Sequence, residues 1–261
     1  MSRFSNLELR SEGDTEPRGE FRERVVTKDA AWYLAAAQTA WEEGDFELAL
    51  RHFGKVIESD PAHPEGWSGQ VKMLIELGQL DEAKLWADKA LERFPNEPDL
   101  LAAKGVALAR NGDPDGGLAY SDSSFSERGE SAYLWLARGD VLLSRKEPRA
   151  DYCFQKMSAL EPRHWFWRWM AARVHCFHRQ FALGLKMAQE ALNLDAGHGM
   201  VWLQLATCQQ ALGLGGASRE SLEQARQLCP RDPQIERALM NWQKSGLLEK
   251  LRGWWRQKNS S

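Results

Sequence analysis

A recurrence of glycine, alanine and proline at a spacing of 34 residues is the feature that most constrains how this chain can fold. The recurring positions are Gly44 and Gly78, Ala49 and Ala83, and Pro61 and Pro95. Between them, apolar residues return at three- and four-residue intervals, as they do on amphipathic helices, and few segments alternate in the manner of strands. The pattern predicts an all-α chain, in which each period holds two antiparallel helices that turn at the glycine and end at the proline.

Side-chain size along these periods predicts how the helix pairs pack. Small residues such as Ala49, Ala83 and Ala90 allow two helices to approach closely, while Phe53 and Trp67 are large enough to fill the space between pairs. One helix pair cannot cover its own apolar face, so successive pairs must stack and share a continuous core. We therefore expect an open solenoid of antiparallel helix pairs.

The recurrence divides the 261 residues into three regions. Residues 1–28 are charged and lack a helical apolar stripe, so we expect a disordered tail. Residues 29–232 are predicted to form six repeats, and residues 233–261 are predicted to form C-terminal capping helices and a short tail. The six repeats are expected at about 30–63, 64–97, 98–131, 132–164, 165–198 and 199–232, with the capping pair near 233–258.

The pattern resembles the tetratricopeptide repeat family, whose 34-residue repeat carries W-x2-L-G-x2-Y, then A-x3-F, then P. The A-x3-F element stands here at residues 49–53 and 150–154, and the opening element stands as WLQLA at residues 202–206. The resemblance covers roughly residues 30–231. It implies a superhelix whose first helices line a concave groove, and a protein that binds a protein or peptide partner there.

Two repeats depart from this pattern. The third reads GDPDGGLAYSDSSFSERGES, where glycines and serines replace the usual alanine and bulky residues and Gly129 stands in the place of proline. This composition favours a weakly packed second helix; the alternative is a local hinge or a phosphorylatable patch at Ser121, Ser123, Ser124 and Ser126. The fourth repeat, with SRKEPRADYCF, is one residue short at its turn and lacks the glycine, which allows a different helix crossing there.

Charge and hydropathy argue against several classes of partner. A formal net charge of -3 lacks the basic excess that binding to a phosphate backbone requires, which argues against nucleic acid. The amino-terminal 20 residues lack the apolar run of a signal peptide, and no later run approaches the length of a membrane span. We therefore expect a cytoplasmic protein without a membrane partner.

No grouping of residues predicts catalysis, a cofactor or a metal site. The four cysteines are Cys153, Cys176, Cys208 and Cys229, and without CxxC spacing they are expected to be ordinary reduced thiols. In the segment HCFH, His175, Cys176 and His178 could ligate a metal, but structural zinc sites draw on more ligands, so core or surface histidines are favoured. The P-loop, G-x-S-x-G and H-E-x-x-H motifs do not occur. The chain is therefore predicted not to be an enzyme.

The resemblance also indicates which positions face the groove. In the tetratricopeptide family, ligand contacts recur at positions 2, 5, 6, 9, 12 and 13 of the repeat, and members that hold the carboxylate tails of heat-shock chaperones carry lysine, asparagine and arginine at several of them. In the second and third repeats these positions hold Glu65, Ser68, Gly69, Lys72, Asp99, Ala102, Ala103 and Val106. The resemblance therefore argues against a carboxylate clamp.

The same positions of the fourth to sixth repeats are largely aromatic and aliphatic, and they predict the partner-binding groove. The predicted groove residues are Tyr133, Leu136, Asp140, Trp165, Phe166, Trp169, Met200, Leu203, Gln204 and Thr207. An exposed apolar patch of this kind marks a partner site, and aromatic anchors dominate such interfaces. The alternative is that aromatic residues fill gaps between repeats, and this is favoured for Trp135, Trp167 and Trp202.

Two registers that differ by one residue are possible for the fifth repeat. One choice places Arg168 and His175 in the core. The other places Trp167 and Val174 there, which packs better but needs a compensating change in turn length. Trp169 faces the groove under both choices.

Three functions fit these observations. The first is an adaptor or chaperone-like scaffold that holds an apolar peptide segment of a partner in its groove. The second is a membrane-surface assembly factor that uses LLEKLRGWWRQK, where Leu247, Leu248, Leu251, Trp254 and Trp255 share a helix face. A solenoid needs a terminal cap, so the capping role is favoured for this helix. The third is a regulatory subunit of a separately encoded enzyme.

A further candidate binding element lies in the amino-terminal segment RFSNLEL. Phe4, Leu7 and Leu9 could form a short docking motif, since a disordered segment can order on binding. A plain solubilising tail is favoured over this alternative.

Overall fold

The structure, a computed structural model, describes residues 28–126 and 129–244. Twelve helices follow one another: α1 (Ala30–Glu42), α2 (Phe46–Ser59), α3 (Pro64–Glu76), α4 (Leu80–Arg93), α5 (Pro98–Arg110), α6 (Pro114–Ser126), α7 (Ala132–Ser144), α8 (Ala150–Leu160), α9 (Trp165–Phe177), α10 (Phe181–Leu194), α11 (Gly199–Ala211) and α12 (Gly215–Leu228). A thirteenth, α13, begins at residue 233 and is described as far as residue 244. No strand occurs in these two ranges, and the predicted all-α solenoid is confirmed.

One helix pair lies in each of the six predicted repeat intervals, from α1 and α2 in the first to α11 and α12 in the sixth. Helix α13 follows them at the start of the predicted capping region. The rest of that region, including the proposed membrane-binding face at residues 247–255, lies outside the described residues. So do the predicted docking motif Phe4, Leu7 and Leu9 and all but the last residue of the predicted amino-terminal tail.

Short polar side chains and prolines set where the helices begin. The carboxylates of Asp29 and Asp45 accept hydrogen bonds at 2.9 Å from backbone amides in the first turns of α1 and α2. The hydroxyl of Ser131 accepts a similar bond in α7. Pro64 and Pro98 occupy the first positions of α3 and α5, where a missing amide proton leaves no bond unmade.

The turns inside the repeats all use a residue in the left-handed region. Glycine fills this place in four repeats, as in Gly44 with φ of 78°. The fourth and fifth repeats use Lys146 with φ of 59° and Arg179 with φ of 60°. In each repeat the amide that follows the turn residue donates to the carbonyl oxygen five residues earlier, as in Asp45 to Ala40, Glu147 to Leu142 and Gln180 to His175. The fourth repeat therefore keeps the common turn, and lysine takes a conformation that glycine adopts without strain.

The third repeat is closely packed, so the expectation of a weakly packed second helix is wrong. A Cβ built on Gly105 of α5 would lie 2.8 Å from the Gly117 carbonyl oxygen of α6, and a Cβ on Gly117 would lie 2.6 Å from the Gly105 carbonyl oxygen. The two helices thus meet backbone to backbone, which only glycine permits. Ser121 and Ser124 are buried in the same contact, which removes both from the proposed phosphorylatable patch.

The fifth repeat adopts the frame that places Arg168 and His175 at core positions. In the second and sixth repeats, the indoles of Trp67 and Trp202 donate to carbonyl oxygens six residues earlier, at 3.0 and 2.9 Å. The Arg168 guanidinium takes this role in α9, since it donates to the carbonyl oxygens of Glu161 and His164. An arginine in the tryptophan position therefore still satisfies the end of the preceding helix.

Candidate partner-binding surface

The first repeat lies against the fifth, so distant parts of the solenoid meet across its concave side. The Phe46 ring stacks on the Trp169 indole with ring centroids 6.1 Å apart. Trp41 meets Phe166 edge to face, with centroids 5.1 Å apart. Helix α9 supplies both partners. The turn of the first repeat thus fills the concave face of the later repeats.

Three further contacts secure this arrangement. A Cβ built on Gly44 would lie 3.0 Å from Cγ of Met200, so the first turn also approaches α11. The Gln234 amide of α13 donates to the Gly44 carbonyl oxygen at 3.4 Å. The Arg173 guanidinium pairs with the Glu76 carboxylate at 2.6 Å, which joins α9 to α3. The contacts span the first, second, fifth and sixth repeats and α13.

Most of the predicted groove residues are buried, so the expectation that they form an exposed groove is wrong. The buried ones are Tyr133, Leu136, Asp140, Phe166, Trp169, Met200 and Gln204. Trp169 has no exposed surface at all. The physical reason is that large apolar side chains on a strongly curved inner face bury more area against the first repeat than they would in an open groove.

The remaining three predicted groove residues lie nearer the surface. Trp165 and Leu203 are partly buried, and Thr207 is exposed. Trp165 stacks on His198 with ring centroids 3.7 Å apart. The Thr207 hydroxyl donates to the Leu203 carbonyl oxygen at 2.9 Å, within its own helix. The structure does not bring these three together as one apolar face.

An open cavity lies instead between α1 and the amino-terminal ends of α3, α5 and α7. Its volume is about 570 Å³. The lining residues are Ala31, Leu34, Ala35, Gln38, Trp41, Phe53, His63, Glu65, Ser68, Gly69, Lys72, Asp99, Ser131, Tyr133 and Trp167. Ala31, Gln38 and Glu65 are exposed, whereas Trp41, Lys72 and Tyr133 are buried. The cavity therefore runs from an open rim to a buried floor; we call it the α1 cavity.

The floor of the α1 cavity holds one buried cation between two aromatic rings. Lys72 Nζ lies 2.5 Å from Oδ2 of Asp99. The same ammonium lies 3.9 Å from the centroid of the Tyr133 ring and 5.7 Å from that of Trp41. Burial, with the nearby carboxylate of Asp99, raises the pKa of the Tyr133 phenol well above its ordinary value. Lys72 is thus neutralised by its own neighbours and does not offer a free charge for a carboxylate tail.

One buried hydrogen-bond donor of a residue that lines the α1 cavity has no partner. The indole N–H of Trp41 is buried and has no hydrogen-bond partner among the described residues. Trp41 also lines a second, nearly filled cavity of about 20 Å³ beneath the first. Buried donors are normally paired, so this indole N–H is an exception in the packing beside the cavity.

Beneath the floor, charged side chains pair inside the solenoid. The Arg110 guanidinium binds the Asp140 carboxylate at 2.7 Å, and the His178 ring lies 2.8 Å from its other oxygen. Burial alone would raise the pKa of Asp140, but Arg110 and the hydrogen bond with His178 outweigh it, so the pKa is lowered. Arg110 also lies 4.3 Å from the centroid of the Phe177 ring. Arg110 and Asp140 of this network line the small cavity of about 20 Å³.

The α1 cavity was missed by reasoning from the sequence because its residues look unremarkable one by one. In the sequence, Glu65, Ser68, Gly69, Lys72 and Asp99 argue only against a carboxylate clamp. The signal in the sequence for an open cavity is the run of small residues at successive groove positions, because small side chains leave space that large ones would fill. The charges that suggested solvation are largely paired with each other.

Two properties of the described residues bear on other classes of site. In residues 28–126 and 129–244, every helix is too short or too polar to cross a bilayer. The same ranges contain no group of three or more His, Cys, Asp or Glu side chains placed to hold a metal ion. His175 instead contacts Phe154 and bonds to Gln180.

Comparison with known proteins agrees with this geometry. Residues 40–107 match the family model for the tetratricopeptide repeat. A protein SGT1 homolog from Oryza sativa subsp. japonica is 33% identical over 86 residues, which are 33% of this chain and 23% of that protein. The BBSome complex member BBS4 from Bos taurus is 22% identical over 204 residues, or 78% of this chain and 39% of that protein. This chain thus spans less than half the length of either relative.

A solved structure shares the fold. A tetratricopeptide repeat protein from Parabacteroides merdae superposes with a TM-score of 0.53 at 12% sequence identity, covering 85% of this chain and 87% of that one. The fold places the chain among helical repeat solenoids. Together with the family match over residues 40–107, it confirms the resemblance to tetratricopeptide repeat proteins seen in the sequence. Such proteins bind protein partners, and the fold is in general that of a non-catalytic scaffold.

Proposed function

We propose that the protein is a non-catalytic adaptor that holds an apolar segment of a partner protein in the α1 cavity. The observation that carries this proposal is the contrast between the two halves of the concave side. The first repeat covers Phe166 and Trp169 of the fifth repeat and approaches Met200 of the sixth, whereas about 570 Å³ stays open beside α1. This volume lies in the range of sites that enclose several side chains of a ligand.

The lining of the α1 cavity supports an apolar occupant. Leu34, Phe53 and Trp167 supply apolar wall, and burying a large apolar side chain against such a wall is worth about 1.5–3 kcal/mol. The rim is polar at Gln38 and suits the solvated edge of an interface.

One relative, BBS4, is a member of the BBSome complex and therefore part of an assembly. For the present chain, the corresponding role is the capture of one partner by a short segment.

The test compares a blocked cavity with a matched change on the outer surface. Gln38→Trp fills the rim from an exposed position, and Leu34→Glu places a charge on the apolar wall. Leu85→Glu is the control, since Leu85 is 68% exposed on α4. Partners are captured from native cell extract and identified by mass spectrometry, and the affinity of each for the wild type and variants is then measured by calorimetry. Circular dichroism checks that each variant is folded.

We expect the wild type and Leu85→Glu to retain the same partner, and both cavity variants to lose it, with an affinity at least 30-fold weaker, since roughly 2 kcal/mol of contact is removed. A partner that binds folded Gln38→Trp and Leu34→Glu at wild-type affinity would place the binding surface elsewhere.

A further inference from the structure

Two cysteines of neighbouring repeats lie side by side in the C-terminal half. Cys176 is in the last turn of α9, and Cys208 is in the last turn of α11, which is the corresponding helix of the next repeat. Their Sγ atoms are 3.1 Å apart, although 32 positions separate them in the chain. By contrast, the sulfur of Cys153 contacts the carbonyl oxygen of Arg149 in its own helix.

The surroundings of the pair leave room for the two sulfurs to approach. Helix α10 crosses directly over them at Gly184, where a Cβ would lie 3.0 Å from Sγ of Cys176 and 3.1 Å from Sγ of Cys208. A side chain at this position would press on both sulfur atoms. A disulfide needs a separation of about 2.05 Å, so the sulfurs must move together by roughly 1 Å. The absence of a side chain on Gly184 gives the two cysteines space to do so by rotation about χ1.

The two thiols differ in reactivity. Cys176 is partly exposed and accepts a hydrogen bond from the Gln204 amide at 3.0 Å. The hydrogen bond with Cys208 and that from Gln204 outweigh burial and lower the pKa of Cys176. Cys208 is fully buried, and its contact with Cys176, together with burial, raises its pKa. Cys176 is therefore the thiol that meets a reagent first, and Cys208 is placed to react second.

We propose that Cys176 and Cys208 are an oxidisable pair that forms an intrachain disulfide when the protein meets a hydroperoxide. The Cys176 thiolate attacks one oxygen of hydrogen peroxide, the O–O bond breaks, and the departing hydroxide takes up a proton to leave as water. Cys176 is then a sulfenic acid. The Cys208 sulfur attacks Sγ of Cys176, the S–O bond breaks, and the hydroxyl leaves as a second water with the Cys208 proton. Two thiols are oxidised, and one peroxide is reduced to two waters.

The disulfide would tie the fifth repeat to the sixth on the inner helices of the solenoid. These helices also carry Trp169 and Met200, which contact the turn of the first repeat. The cross-link would therefore fix the junction that closes the concave side. Because it closes a loop within the unfolded chain, the oxidised protein resists denaturant better than the reduced one.

The experiment treats the reduced full-length chain with hydrogen peroxide and follows thiols, intact mass and peptides. We expect two of the four thiols to disappear, the monomer to lose two hydrogen atoms, and both changes to reverse with dithiothreitol. A non-reducing tryptic digest should join the peptide of residues 174–179 to that of residues 187–219. The denaturation midpoint should shift upward on oxidation in the wild type.

Single serine variants separate this chemistry from general oxidation. Cys229→Ser removes a partly exposed cysteine outside the pair, and it should leave the cross-link unchanged. Cys208→Ser should stop at the sulfenic acid of Cys176, which dimedone traps, and Cys176→Ser should form no intrachain disulfide. The proposal is overturned if the wild type yields only disulfide-linked dimers, a cross-link through Cys229, or four intact thiols under peroxide that modifies an unfolded control.

Discussion

The indole of Trp169 lies nearly parallel to the ring of Phe46, with 9° between the planes and 6.1 Å between the centroids. One turn further along α9, Arg173 lies 4.4 Å from the centroid of the same Phe46 ring and pairs with Glu76. Arg173 and Glu76 are 97 positions apart in the chain. In a linear stack of repeats each unit contacts only its neighbours, so these contacts couple repeats that would otherwise be independent.

Replacing Trp169 with alanine should therefore lower the stability of the fold and should not remove a contact with a partner. We expect the free energy of unfolding to fall by about 3–5 kcal/mol, because a fully buried tryptophan leaves a cavity between two repeats. Denaturant titration followed by circular dichroism measures the loss. Leu85→Ala, on the outer surface, should stay within about 0.5 kcal/mol of the wild type. A Trp169→Ala protein as stable as Leu85→Ala would contradict the packing role.

The local features of the fold could be predicted from the sequence because each one depends on residues close together in the chain. Helix periodicity, the glycine at the turn and the proline after the second helix act within a single 34-residue unit. The sequence also shows that lysine stands at position 146 where other repeats have glycine, but it does not show whether the turn changes as a result. A backbone that is held by the flanking turn can keep a left-handed residue at a cost of about 1–2 kcal/mol, so the missing glycine did not change the turn.

The candidate site could not be predicted in the same way, because it depends on the curvature of the whole stack. The groove positions of the family place Trp169 on the concave face. They do not predict that Phe46, four repeats earlier in the chain, covers it. The same curvature leaves the α1 cavity open, where Ser68 and Gly69 leave space. Contacts between repeats that are far apart in the chain produce no periodic pattern in its sequence.

The turn of the fifth repeat offers a stabilising change. Arg179→Gly should raise the free energy of unfolding by roughly 0.5–1 kcal/mol, because arginine at φ of 60° is strained where glycine is not. Gly78→Ala is the reverse test, since φ there is 75° and a Cβ would meet nothing within 4 Å. It should cost about 1 kcal/mol through backbone strain alone. Chemical denaturation of both variants measures the two shifts, which must have opposite signs.

Stability should fall as the pH drops below the ordinary pKa of histidine, and His175 should account for part of the fall. Burial lowers the pKa of His175 in the folded protein, so the unfolded chain binds a proton at a pH where the folded chain does not. Stability is therefore full above about pH 6.5 and is lost as the pH falls toward the lowered folded pKa.

The measurement is the free energy of unfolding between pH 7 and pH 5 for the wild type and His175→Gln. Glutamine cannot take up a proton, so the slope with pH should be shallower in the variant, whatever its absolute stability. His52→Gln serves as the control, since it removes a histidine from the outer surface near Trp32. Equal slopes for the wild type and His175→Gln would refute the assignment.

Breaking the buried Arg110 and Asp140 pair from one side should be costly. Arg110→Met leaves the Asp140 carboxylate buried with only His178 beside it, and we expect a loss of about 3–5 kcal/mol. Adding Asp140→Leu removes the stranded charge, so the double variant should be more stable than the single one. Equilibrium unfolding of the two singles and the double completes a cycle. Additive losses would mean that the two side chains do not interact.

Two helical glycines should respond in opposite directions to the same substitution. Gly105→Ala places a Cβ 2.8 Å from the Gly117 carbonyl oxygen of the facing helix, a backbone atom that cannot move without separating α5 from α6. We expect a loss of about 1–3 kcal/mol from this overpacking. Gly54→Ala in α2 meets only the end of the Gln70 side chain at 3.8 Å, so the higher helix propensity of alanine should stabilise the protein by roughly 0.5–1 kcal/mol. Thermal and chemical unfolding of these two variants distinguishes a close backbone contact between α5 and α6 from a loosely packed α6. If α6 were weakly packed, Gly105→Ala would stabilise the protein as Gly54→Ala does.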